Sequence, residues 1–175
     1  MPESLTSRIV LHVSATSEIS PPLDTTIEQL ALDVTNNFTN GTGTNQANKL
    51  FSVQATTHSD TFDINMKTLE TSDAGSSFTG GNDNLKQPYA LTKVKAIMVQ
   101  NLATGGQTLV IGQYPGTPWT AIFNGGDDAL ILNAGATLLL VAPSADGYSV
   151  DAVNNILRIT TAGTVTFNVV VIGAQ

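Results

Sequence analysis

The 175-residue chain predicts an all-β domain, an antiparallel sandwich of jelly-roll type with about a dozen short strands. Three observations carry this. Apolar residues recur with period two, turn residues arrive at short intervals, and signals for long helices are few. At the C-terminal end Val165, Phe167, Val169 and Val171 alternate with Thr164, Thr166 and Asn168. Near the start Ile9, Leu11 and Val13 alternate with Arg8, His12 and Ser14. Alternation of this kind sends one row of side chains to a core and the other to solvent or a neighbour.

The remaining strands are expected at Leu30–Val34, Leu50–Ala55, Thr61–Met66, Thr92–Asn101, Gln107–Gly112, Pro118–Phe123, Ala129–Asn133, Thr137–Ala142, Tyr148–Ala152 and Asn155–Thr160. Thr25-Thr26-Ile27-Glu28 could instead open a short helix, but the alternation of Leu30, Leu32 and Val34 favours a strand. Gly105-Gly106, Asn133-Ala134-Gly135, Asp146-Gly147 and Ala162-Gly163 supply the turns. Three segments read as loops: 17–24 around Pro21 and Pro22, the polar and flexible stretch 36–48, and 72–88. The expected organisation is one domain over 1–175, with an N-terminal arm over about 1–24 and long loops at 36–48 and 72–88.

Composition narrows the function. Charged residues are 12% of the chain, about half the usual share of roughly 25%. The net charge of −7 and a pI near 4.4 argue against a nucleic-acid binder. With no Cys, disulfides and Cys-based zinc sites are excluded. Ten of the 14 acids precede residue 89, so the negative charge is expected in the looped half. The N-terminal stretch does not read as a signal peptide, and no apolar run is long enough for a membrane helix. The expectation is a chain made in a cytoplasm, with no membrane partner. The two N-x-T sequons at Asn37 and Asn40 read as chance.

No catalytic constellation emerges. His58-Ser59-Asp60 holds the residue types of a nucleophilic triad, yet neighbours on an extended chain face opposite ways. His12 reads as solvated or as an interface residue. Asp127 and Asp128 could hold Ca²⁺ or act as an acid–base pair, but a solvated turn is the plainer reading. Asp60 and Asp63 do not pair locally, and Gly80–Asn84 lacks the spaced acids of an EF-hand. Gly41-x-Gly43 is no dinucleotide fingerprint. No cofactor and no metal are expected. Lys93 and Lys95 share one strand face, opposite Val94, Ala96 and Met98, and read as solvated. Tyr114 and Trp119 sit in a Pro-rich connector. They are either an aromatic platform for sugars or a partner, or in the case of Trp119 a plug for the sandwich end.

Four stretches carry a resemblance. They are FTNGTGTNQANKLFSVQATTHSDTFDI from Phe38, LTKVKAIMVQNLATGGQTLVIG from Leu91, ILNAGATLLLVAPSADGYSV from Ile131 and ILRITTAGTVTFNVVVIGA from Ile156. Together they resemble small β-rich virion proteins of tailed bacteriophages and prophages. The resemblance implies a non-enzymatic structural role: a capsid-decorating protein, or part of a tail or fibre. It implies a virion location and, as partners, the chain itself and other phage structural proteins such as the major capsid protein. It carries no functional residues.

Low charge agrees with crowded copies, because like-charge repulsion is small. A trimer or ring is the expected assembly. Pro21, Pro22, Phe38, Phe78, Tyr89, Tyr114 and Trp119 are the candidate partner contacts. A receptor- or carbohydrate-binding module is the alternative function, and a β-sandwich hydrolase or lyase using acids such as Asp127 and Asp128 a remote one.

Overall fold

The computed structural model describes residues 4–19, 26–58, 60–74, 77, 79–80, 90–123 and 125–175. Within them the fold is all-β and antiparallel. The strands are β1 (Ser7–Ile19), β2 (Thr26–Phe38), β3 (Lys49–His58), β4 (Thr61–Asn65), β5 (Glu70–Asp73), β6 (Thr79–Gly80) and β7 (Lys93–Asn101). Then follow β8 (Leu109–Gly112), β9 (Ala129–Leu132), β10 (Thr137–Val141), β11 (Tyr148–Ser149), β12 (Ile156–Thr161) and β13 (Thr164–Ala174).

Two sheets form the body. One runs β10-β7-β13-β3, with β11 also on β7; the other runs β6-β5-β4-β12-β8-β9. The pairs β3–β13, β4–β12, β7–β10 and β8–β9 make a ribbon whose successive pairs fall alternately into the two sheets. The sheets share one core. Phe51, Ile97, Val99, Phe167 and Val169 come from the first, and Phe62, Ile64, Leu109, Ile111, Leu157 and Ile159 from the second. Phe62 meets Phe167 edge-on across the core at 5.5 Å. A buried hydroxyl bond between Thr57 and Thr161, 2.7 Å long, also joins the sheets.

The period-two reading of the last strand holds: residues 165, 167, 169 and 171 are buried. Other expectations need correction. Pro118–Phe123 is no strand. Pro118 makes an isolated bridge to Ile156, Trp119 N–H donates to the Ile156 carbonyl at 2.8 Å, and the chain then turns. Proline has no N–H for a ladder, so the segment docks at one point only. Tyr148–Ala152 is strand only at its first two residues. The loop expected at 72–88 begins inside β5 and contains β6.

The loop expected at 36–48 is different again. Residues 36–38 finish β2, and the rest folds on itself. Thr39 N–H donates to Asn45, Ala47 N–H to Thr39, and Asn45 N–H to Pro143, at 2.7–3.0 Å. The Gln46 side chain accepts from Gly43 N–H at 2.8 Å. This is a hydrogen-bonded knot in place of the flexible loop expected.

Lys95 is the largest departure. Its side chain is buried, although the strand pattern assigns it to solvent. The cause is a bulge. Ile172 pairs with Ala96 and Gly173 with Val94, so Lys95 is an extra residue on β7. A bulge shifts the alternation by one and re-aims side chains. Val94 therefore joins the inner core while Ala96 lies on the outer face. The Lys95 ammonium donates to the carbonyls of Gly43 (3.2 Å), Ala145 (2.9 Å) and Ser144, tying two loops together. Gly173 is required here, since a Cβ would meet the Lys93 carbonyl at 2.7 Å.

Candidate self-association surface

β1 and β2 pair over their whole length, from Ser7↔Phe38 to Ile19↔Thr26. They form a two-stranded sheet of their own, joined to neither body sheet. Among the described residues of the arm, those at the base are packed. Phe38 is fully buried in a second apolar cluster with Ala47, Ala96 and Ile172, and Leu5, Ile9, Leu50 and Val141 pack against it. These residues place the hairpin base on the outer face of the β10-β7-β13-β3 sheet.

Beyond the base the described side chains of the ribbon, residues 10–16 and 30–35, are exposed. In register, Leu11 lies opposite Val34, Val13 opposite Leu32 and Ala15 opposite Leu30. Facing partners share a side of the ribbon, so these six form a stripe on the side that Ile9 presents at the base. Leu30 is 60% exposed, Leu32 49% and Leu11 45%. Val10, on the other side, is 51% exposed. Six of the ten large exposed apolar residues among those described belong to this arm. The opposite side is more polar: His12 is bonded to Asp33, with Thr35 and Thr16 along the same row. Leu11 and Val13 alternate as expected, but they face solvent and not a core. His12 is solvated, one of the two roles its pattern suggests.

The outer face under the arm is graded. Row by row across β10, β7, β13 and β3 it reads Val141–Ala96–Ile172–Leu50, then Leu139–Met98–Val170–Ser52, then Thr137–Gln100–Asn168–Gln54. The first row lies under the arm base. The second, with Ile9, Val10 and Arg8, lines an open groove of about 340 Å³. The third is a polar ladder, in which Gln54 donates to Asn168 (3.0 Å) and Asn168 to Gln100 (3.1 Å). A smaller apolar groove of about 310 Å³ lies between Ile122, Phe123, Leu130 and Leu138, where the β9 and β10 edges approach.

Comparison of the chain with protein-family models, with curated proteins and with solved structures finds no match.

The other candidate contacts divide three ways. Pro21, Pro22, Phe78 and Tyr89 lie outside the described residues. Phe38 and Trp119 are corrected: both are buried, Trp119 at 1% exposure. Trp119 donates its indole N–H to the Ser149 carbonyl at 2.7 Å and packs edge-on against Tyr148. It plugs the sandwich and offers no platform. Tyr114 is half-buried, with Arg158 stacked 4.6 Å from its ring centre. Arg158 in turn holds Asp63 through two 2.7 Å bonds, which raises the Arg158 pKa. This pair, buried at the acid, escapes a sequence reading because its partners are 95 positions apart. Asp127 and Asp128 are exposed, and no cluster of three or more potential metal ligands occurs among the described residues.

Proposed function

We propose that the chain is a non-enzymatic structural protein that works by self-association and docks on a larger particle, as the resemblance to phage virion proteins implies. A capsid-decorating role is the specific form of this reading. The observation that carries it is the arm. An isolated two-stranded ribbon is at best marginally stable in water, and an apolar stripe along it needs a cover. Five half-exposed Val and Leu side chains of the stripe would each contribute about 1 kcal/mol on being buried, half the range for a whole side chain. A long apolar ribbon on a weakly charged surface suits assembly better than catalysis.

The rolled order of the eight paired strands supports the jelly-roll expectation, an architecture shared by viral capsid and lectin domains. The carbohydrate-binding alternative loses its main residue, because Trp119 is buried. Labelling phage particles with antibody against the recombinant protein tests the location. Regularly spaced label on heads is the expected result. Unlabelled particles carrying an unrelated head-surface protein would refute the decorating role.

A further inference from the structure

We infer that the β1–β2 arm is exchanged between copies, its apolar stripe lying in the neighbour's groove over Leu139, Met98 and Val170. This rests on the self-association reading and specifies its contact.

The chain already makes this contact once. At its base the arm lays Ile9 and Phe38 on Ala96, Ile172, Val141 and Leu50. The stripe of Leu11, Val13 and Leu32 continues the same side of the ribbon, and the row through Met98 continues the same sheet face. Guest and host surfaces are thus both extensions of an interface that this sequence forms. The arm cannot satisfy its own groove with that stripe, since the stripe leaves the body and is exposed. A second copy presents the missing partner for each. The stripe carries no charged side chain, and Arg8 is the one charged residue that lines the groove. His12 and Asp33 stay on the solvent side.

The exposed stretch from residue 10 to 16 spans six strand steps, about 20 Å, and two strands are about 10 Å wide, giving a face of about 200 Å². Each copy both donates and receives an arm, so it makes two such contacts, each smaller than the roughly 800 Å² per partner of a standard interface, and a closed assembly sums them. Donor and acceptor surfaces differ, so the contact is heterologous, and it gives a ring where the rotation between copies closes.

The test is a complementation by mass. Arm variant Leu11→Asp/Leu32→Asp and groove variant Met98→Asp/Val170→Asp are measured by light scattering, with far-ultraviolet circular dichroism to check folding. Each alone is expected at the monomer mass of 18.3 kDa. Mixed, they should form a dimer of twice that mass, because an intact arm meets an intact groove. A groove variant that keeps the wild-type oligomer while the arm variant is monomeric would overturn exchange and leave arm-mediated self-association standing. A monomeric wild type would overturn both. A second measurement avoids charge insertion: Val13→Cys/Val170→Cys in this Cys-free chain should crosslink into covalent oligomers on oxidation. Monomer bands alone would contradict exchange.

Discussion

Lys95 shows how one residue escapes period-two logic. The sequence around it, Lys93-Val94-Lys95-Ala96, alternates cleanly, and the bulge opposite Gly173 is invisible without the partner strand. Its ammonium holds three carbonyls, so Lys95→Met leaves them unpaired and is expected to cost about 2–3 kcal/mol in denaturant unfolding. An unchanged midpoint would refute the lock. Burial and Lys93 lower the Lys95 pKa below its ordinary 10.5, with Asp146 opposing. The unfolded chain then holds more protons than the folded one between the lowered value and 10.5. Stability of the wild type relative to Lys95→Met therefore rises with pH across that window. Trp119→Ala removes a buried ring and orphans the Ser149 carbonyl, and should destabilise by about 3–5 kcal/mol. Arg158→Met strands the Asp63 carboxylate, 6% exposed, at about 2–4 kcal/mol. A loss below 1 kcal/mol would contradict that pair's role.

At the scale of elements, body strands such as β12 and β13 were legible because they alternate over a core that both sheets share. The failures have local physical causes. Pro118 cannot enter a ladder, β5 and β6 are too short and polar to show a period, and the 39–47 knot is built by long-range bonds to Pro143 and Lys95. The arm is the instructive case. Its alternation was readable, but period two reports only that one side is apolar, and not whether a core lies against it. Amide exchange distinguishes the two states of the arm. In the assembled protein, amides within the β1–β2 ladder should exchange slowly; in Leu11→Asp/Leu32→Asp they should exchange many times faster, while β7 and β13 stay protected. Equal protection in both would mean that the ribbon is stable uncovered.

At the scale of the molecule, the low charge acquires a place. The apolar stripe carries none, the groove is lined by one charged residue, Arg8, and the next row of the outer face is a ladder of Gln, Asn and Thr. An assembly held this way should be nearly indifferent to salt. The oligomer is expected to persist at about 1 M sodium chloride, where Coulomb interactions are screened beyond about 3 Å. Dissociation at that salt would point to charged contacts instead. The partner of the proposed assembly leaves no motif to read, because the chain's recognisable patterns are structural. The native mass of the wild-type protein tests the central claim most directly. A closed oligomer, at three or more times 18.3 kDa, is the predicted result, and a single species at 18.3 kDa at high concentration would contradict it.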